Sequence, residues 1–531
     1  MGVMKIQDYK PVIKIYDTTL RDGAQFEGVS LSLDDKIKIA KKLDYLGVTY
    51  IEGGWPGSNP KDMGFFQAIK REPLNHSRIA AFGSTRRPGI KARDDSNIQA
   101  LLMAETNVVT LVGKSWDFHV EKALDTTLRE NLNMVRESVS YLRDKGLEVI
   151  FDAEHFFDGF KHNEEYALQV LEAAADGGAD WIILCDTNGG APPWEVESII
   201  KTVTGRIKIP LGIHTHNDSN CAVSNSLIAV RLGCLQVQGT INGYGERCGN
   251  ADLCSIIPNL ELKMGYKALP EGNLRRLTEV SHYVSEVANL SHHNHQPFVG
   301  HGAFAHKGGI HVSALLKNTR TYEHIDPEQV GNKRRVLVSE LAGLSNLDFK
   351  AREFNIDMAD GEIKRKVINE IKALENCGYQ FEGADASLEL YMRKALGEYQ
   401  EYFSLDHFKI ILEKNEKYDT LAEAVIKLNI ADRVLHTAAE GEGPVNALDN
   451  TLRKALLAVY PELASMRLTD YKVRVLDGNT GTAAKVRVLI DSANENEKWT
   501  TIGVSENIIE ASWQALADSI NFLLLKRSFK L

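Results

Sequence analysis

Several things are scarce in this chain. Six cysteines among 531 residues, at 185, 221, 234, 248, 254 and 377, make no CxxC pair and no secreted-scaffold spacing. Neither a disulfide framework nor a thiolate metal site is expected, and the thiols read as reduced. Positive charge is in deficit: 62 Lys and Arg against 72 Asp and Glu give a formal charge of −10. That excludes a general binder of nucleic-acid backbone or of anionic membrane, while leaving room for a local basic patch around a small anion. No run is apolar enough to span a bilayer, and the opening MGVMKIQDYKPVIKIYD has no apolar signal-peptide core. A cytoplasmic protein with no membrane and no nucleic-acid partner is expected.

What is present is an ordinary globular balance, 43% apolar and 25% charged, with 41 glycines for tight loops. The length predicts two or three cooperating units. Short apolar or β-branched runs recur at 12–17, 48–53, 78–83, 107–113, 148–154, 181–187, 211–216 and 236–242. Between them lie segments with apolar residues at helical spacing and a glycine near the end, such as DDKIKIAKKLDYLG and EYALQVLEAAADGGA. Eight strand-plus-helix units over about 250 residues predict a (β/α)8 TIM barrel. A doubly wound sheet would alternate in the same way, but the GxGxxG of a nucleotide-binding first turn is missing. In a barrel the chemistry belongs at the carboxy-terminal ends of the strands, where DTTLRDG, DAEH, CDTNGG, HTHND and NGYGERCGN fall.

The barrel is expected over 1–273. A mainly helical linker follows over 274–404, broken by the Gly- and His-rich FVGHGAFAHKGGIHVSALL, and an α+β domain over 405–531. In that last region EAVIKLNI, RVLHTAAEG, YKVRVLDG, AAKVRVLID and KWTTIGVS read as strands, and PVNALDNTLRKALLAVY and NIIEASWQALADSINFLLL as helices. Gly443 precedes Ala455-Leu456 by the spacing at which Gly503 precedes Ala515-Leu516, which suggests an internal repeat.

His214 and His216 stand two apart on a predicted strand, so both imidazoles share a face. Two neutral imidazoles with one carboxylate make a facial set that suits a divalent metal and leaves positions open for substrate. The candidate carboxylate is Asp22, in the loop after the first strand, with Asn250 as an amide-oxygen ligand or a partner behind the ligands. HxH alone is also what two ordinary polar residues at a strand end look like; the loop Asp and neighbouring Arg tip the balance. Arg21 offers a charged fork for an enolate or alkoxide oxygen, or else a structural ion pair. Glu154 can orient a base or a substrate hydroxyl, or serve the fold, and Thr187 in CDTNGG can donate to a substrate carboxylate or merely start a turn. His311 and Tyr322 are candidates for proton transfer if their extension folds over a barrel mouth, its own or a partner's.

Taken in order, DTTLRDGAQ, the strand-end Glu154, DTNGG, HTHND and GYGERCGNADL resemble the metal-dependent acyltransferase and lyase superfamily of 2-isopropylmalate, homocitrate and citramalate synthases. The resemblance covers essentially the whole chain, the carboxy-terminal part being similar to the synthases' linker and regulatory domain. DAEHFFDGFK, LCDTNGGAPPWE and ENCGYQFEGADAS look most like the citramalate branch. The resemblance implies Asp22, His214 and His216 as ligands of Mn, Mg or Zn with Asn250 contributing, Arg21, Glu154, His311 and Tyr322 in catalysis, and Arg21 and Thr187 at the substrate. It further implies acetyl-CoA and pyruvate as substrates, and a place in isoleucine biosynthesis. His311 and Tyr322 would reach the other subunit of a homodimer. The carboxy-terminal domain would be either an isoleucine-sensing module or one for dimerisation alone. One departure stands out: many relatives read GIHQDG or GIHADG where this chain has GIHVSA, with Val312 and Ser313. Rival readings are a larger oxo acid on the same chemistry, a retro-Claisen lyase on the same barrel, and a metabolite sensor without catalysis.

Overall fold

The computed structural model describes residues 11–415, 418–430, 433–476 and 484–528. Residues 1–10, where part of the signal-peptide reading fell, lie outside the described residues. The chain divides into two compact units, 1–304 with 325–333, and 305–324 with 334–531.

In the first unit all eight apolar runs become strands: β1 (Lys14–Asp17), β2 (Tyr50–Gly54), β3 (Arg78–Ser84), β4 (Val108–Lys114), β5 (Glu148–Glu154), β6 (Trp181–Asp186), β7 (Leu211–Thr215) and β8 (Gln236–Gly239). Each pairs with the next in parallel, and β8 pairs with β1 to close the barrel. The expected (β/α)8 barrel is what forms. Closure needs strands buried on both faces, which is why the runs read as nearly continuous apolar stretches. Outward residues such as Ile15, Ile51, Val109, Val149, Ile182 and Val237 are fully buried in one core with helix residues Leu43, Leu46, Val135 and Leu171. Burial of each such side chain contributes about 1.5–3 kcal/mol.

The inward residues are graded along the barrel axis. At the amino-terminal ends Tyr16, Tyr50, Ala80, Val108, Ile150 and Ile183 form a small apolar cluster. Two residues further on, at period-two spacing, come Thr18, Glu52, Phe82, Thr110, Asp152 and Cys185, and the mouth is reached at Lys114, Glu154 and Thr187. Alternation therefore carries an apolar floor into a polar mouth within single strands.

In the second unit, β9 (Ala305–His306) pairs in parallel with β10 (Arg335–Val336), amid helices Gly309–Lys317, Leu344–Glu353, Gly361–Asn376 and Asp385–Ala395. Two antiparallel sheets follow. The first comprises β11 (Ser404–Asn415), β12 (Tyr418–Ile430) and β13 (Arg433–Gly441), followed by helix Pro444–Leu456. The second comprises β14 (Arg467–Val475), β15 (Val486–Ala493) and β16 (Lys498–Ser505), followed by helix Ile508–Ser528. Strand β11 was not among the expected strands. The expected repeat exists in the order of elements, three strands and a helix twice, yet its marker glycines are not equivalent. Gly443 caps the helix Pro444–Leu456, whereas Gly503 lies within β16. The counterpart of Gly503 is Gly441: an added Cβ at either would collide with backbone of the following helix, at Ala511 or Ala447. Among the described residues no helix is long and apolar enough to cross a membrane.

Candidate active site

The loop after β1 carries Arg21 and Asp22, β2 carries Glu52, β5 ends with Glu154, and β7 carries His214 with His216 one residue beyond it. A cavity of about 450 Å³ opens over these strand ends and is lined by Arg21, Asp22, Glu154, Thr187, His214 and His216, among others. All three candidate metal ligands are buried, and one ligand atom from each lies within 4.8 Å of the others. His214 Nε2 stands 3.3 Å from both Asp22 Oδ2 and His216 Nε2.

The NGYGERCGN segment brings the fourth group. Residues 249–251 run alongside the end of β7, with Asn217 N–H donating to the Gly249 carbonyl (2.8 Å) and Ala251 N–H to the Thr215 carbonyl (2.9 Å). This sets Asn250 opposite His216. The two glycines before it are required: a Cβ on Gly245 would stand 2.0 Å from Asn250 Oδ1, and Gly249 holds φ +89°, a conformation natural only to glycine. Asn250 Nδ2 donates to Asp22 Oδ2 (2.8 Å), while its Oδ1 is buried without a partner.

These residues fit a divalent cation. Gln238 Nε2 donates to Asp152 Oδ1 (3.0 Å), so its Oε1 is the atom that faces His214 Nδ1 at 2.8 Å. That bond places a proton on Nδ1 and leaves Nε2 as the ligand atom, the arrangement by which a partner behind a metal-binding imidazole fixes its tautomer. His216 is held down to about 4 by burial and by the neighbouring His214, and so stays neutral. Burial alone would raise Asp22, but Arg21 and His214 outweigh it and hold the carboxyl well below its usual range. Burial lowers His214 too, yet its bond to Asp22 raises it overall; a cation among the same atoms would displace that proton. Exchanging the ends of the Asn250 amide would turn its orphaned oxygen toward the same point.

Arg21 is clamped from two sides. Its Nε donates to Glu52 Oε2 (2.6 Å), and its guanidinium lies 3.9 Å over the Phe82 ring. Glu52 is fully buried and also accepts from the hydroxyls of Tyr16 (2.7 Å) and Thr18. Glu154 is ion-paired with Lys114 across β4 and β5. His155 follows it with φ 57°, a left-handed conformation uncommon outside glycine, and its N–H donates to Thr187 Oγ1 (2.9 Å). Arg247 grips Asp218 through Nε and Nη2 (2.7 and 2.9 Å) and donates to the Thr187 carbonyl (2.8 Å), tying HTHND, GERCGN and DTNGG together.

Comparison with known proteins gives the same picture over the whole length. The HMGL-like family model matches residues 12–284, the homocitrate synthase post-HMGL domain-like model 298–378, and the LeuA allosteric (dimerisation) domain 382–524. The chain is 55% identical over 517 residues to the (R)-citramalate synthase of Geobacter sulfurreducens, covering 97% of this chain and 98% of that protein. It is 56% identical over 519 residues to that of Aquifex aeolicus, again covering 97% and 98%. This chain belongs to the citramalate synthase family.

In this family member seven of the nine candidate residues (Arg21, Asp22, Glu154, Thr187, His214, His216 and Asn250) gather at the barrel mouth. His311 and Tyr322 lie in the second unit, where their rings stack with centroids 4.2 Å apart and both side chains are exposed. Four further groups of the mouth were not singled out from sequence: Glu52, Lys114, Gln238 and Arg247. Three had a signal of residue type, though not of role: Glu52 is a charge in the apolar run YIEGG, Gln238 alternates with Gln236 in a strand buried on both faces, and Arg247 sits inside a motif already noted; the level that Lys114 shares with Glu154 comes from strand register alone.

Proposed function

We propose that this chain is a citramalate synthase, joining the methyl carbon of acetyl-CoA to the carbonyl carbon of pyruvate and releasing (R)-citramalate and CoA. Full-length identity of 55–56% to (R)-citramalate synthases carries this reading. A divalent cation, Mn, Mg or Zn, held by Asp22, His214 and His216 with the Asn250 amide oxygen, would supply Lewis-acid polarisation of the oxo acid. Thr187 Oγ1 already accepts from the His155 N–H, which leaves its own hydrogen for the pyruvate carboxylate. Arg21, immobilised by Glu52 and Phe82, has further N–H donors for the oxygen on which negative charge develops as the carbon–carbon bond forms. His311 takes the proton from the acetyl methyl group, aided by Tyr322 and Glu154. Water then cleaves the thioester and CoA leaves as the thiol.

His311 and Tyr322 serve the barrel of a second copy, so the working form is a homodimer; the match to a dimerisation domain supports this. The division of labour is a catalytic barrel over 1–273, a linker completing the site over 274–404 and a regulatory domain over 405–531, with isoleucine as its effector. The setting is isoleucine biosynthesis in the cytoplasm. Isothermal titration with isoleucine, leucine and lysine, against protein truncated near Leu405, tests the effector.

The second reading is the same chemistry on a larger oxo acid, since a probable 2-isopropylmalate synthase of Methanopyrus kandleri is also 32% identical over 517 residues, covering 97% of this chain and 99% of that protein. Thiol detection of CoA release from acetyl-CoA, with Mn or Mg and with pyruvate, 2-oxoisovalerate or 2-oxoglutarate, separates the two. Chelator-sensitive turnover favouring pyruvate is expected. Preference for another oxo acid would move the assignment to that substrate, and no turnover with any would overturn it.

A further inference from the structure

We propose that the second unit contains a separate binding site, a cage for a small apolar molecule that carries an ammonium group. The site is a cavity of about 320 Å³, within the range of small-ligand pockets. It lies between the helix Asp385–Ala395 with the turn before it on one side and β16 with the helix Ile508–Ser528 on the other. It shares no lining residue with the barrel-mouth cavity.

Two acceptors mark its polar end. Asn521 is 5% exposed, its Nδ2 donates to the Ala517 carbonyl (3.0 Å), and its Oδ1 is buried with no hydrogen-bond partner. A buried amide oxygen without a donor is unfavourable, so a ligand that supplies one removes that penalty. Asp518 stands three residues earlier, on the same face of the helix. Its Oδ2 accepts from Ser387 Oγ (2.6 Å), leaving Oδ1 for a ligand. Burial pushes this carboxyl up to about 6, against the Ser387 bond and Lys394, so it is charged at neutral pH. One carboxylate oxygen beside one amide oxygen, neither able to donate, calls for a group that only donates. An ammonium does so with three N–H bonds.

The rest of the wall suits the body of such a ligand. The side chains of Tyr379, Phe381, Tyr391 and Tyr399 line the cavity with Leu390 and Ile502. The hydroxyl of Tyr379 is spent on Gln514 Oε1 (3.1 Å) and that of Tyr391 on Glu370, so these two offer ring surface and not polar ends. Aromatic faces attract an organic cation, the more strongly the further it is desolvated. At the exposed rim Glu401 and Lys394 offset one another, so the inner acceptors set the preference. Water would satisfy Asn521 as well, but would leave the aromatic surface unused.

The site stands independently of the proposed reaction, because its test reads heat and not turnover. Full-length protein is titrated calorimetrically with 3-methylbutylamine and with 3-methylbutanoate, which share an apolar body and differ in charge. The amine is expected to bind at one site per chain and the acid not to bind. Asp518→Asn, which preserves a partner for Ser387, and Asn521→Leu should each weaken the amine about tenfold or more, while melting temperature and CoA release stay at parental values. Tyr399→Leu, which disturbs no buried polar group, gives a second route if Asn521→Leu fails to fold, and should weaken the amine severalfold. Absence of amine binding, equal binding of the acid, or unchanged amine affinity in Asp518→Asn and Tyr399→Leu would overturn the proposal.

Discussion

The barrel mouth and the paired sheets of the carboxy-terminal region spend burial in opposite ways. In β12, Ala422, Ala424, Ile426, Leu428 and Ile430 alternate inward with at most 3% exposure; the last three share an apolar cluster with Leu448, Leu452 and Leu456 of helix Pro444–Leu456, and the two alanines pack with Ala447 of the same helix. The upper barrel buries Asp17, Glu52, Asp152, Gln238 and His214 almost as fully, with at most 5% exposure. Apolar burial is non-directional and tolerates repacking; buried charge requires a named partner for every group. The first region can vary widely and still fold. The second is determined atom by atom, which is what a reaction site demands.

Arg21→Ala should break this contrast most sharply. Loss of a charged donor at the developing negative oxygen is expected to lower kcat by about 10²–10³, with a smaller change in KM. It also strands the Glu52 carboxylate, at a cost of about 3–5 kcal/mol for a broken buried pair. Adding Glu52→Gln should recover most of the stability and none of the activity. Steady-state kinetics and urea unfolding of the single and double variants check both halves; recovered activity in the double variant would make Arg21 a purely structural residue.

Leu452→Ala tests the other region. Leu452 is fully buried, and a Leu-to-Ala cavity costs about 2–5 kcal/mol. Scanning calorimetry should show the loss, while CoA release well below the melting temperature stays at the parental rate. A fall in kcat of the still-folded variant would show that the apolar region is coupled to the chemistry.

The same contrast explains what could be read in advance. Eight barrel strands and most of the carboxy-terminal elements announced themselves because burial on one or two faces imposes a period on apolar residues. Strand β11 did not, because a register irregularity between Leu405 and His407 breaks its alternation, and Ile411 and Leu412 are exposed. At the mouth, Asp22, His214, His216 and Asn250 were legible as ligand types in order along the chain. Glu52, Lys114 and Gln238 were not, since their roles come from neighbours 31, 40 and 24 residues away in sequence, and only the closed barrel sets those neighbours side by side. The stacking of His311 on Tyr322 was likewise beyond a reading by periodicity.

Gln238→Leu is a finer probe of the polar region. It keeps the volume and removes the acceptor that fixes the proton on His214 Nδ1. Loss of such a partner typically weakens metal binding about 10–100-fold. Calorimetric titration of chelator-treated protein with Mn should show it directly, apart from turnover. Unchanged affinity would mean that Asp22 alone orients the imidazole.

The last probe concerns Asp17, fully buried at the end of β1, where it accepts from the Thr19 N–H (2.9 Å) and hydroxyl (3.1 Å). Burial pushes its carboxyl up to about 7 despite those bonds, from an ordinary value of 3.8. Between these values the folded chain holds a proton that the unfolded chain has released. This group's contribution to stability is therefore present at low pH and is lost as pH rises through about 7. Asp17→Asn mimics the protonated carboxyl and removes the dependence. Urea midpoints of parent and variant at about pH 5, 6 and 8 should diverge as pH rises, with the variant gaining relative to the parent. A constant gap would mean that the upper barrel solvates Asp17 as well as water does, and the difference between the two regions would then lie in hydrogen bonding alone and not in the cost of burying charge.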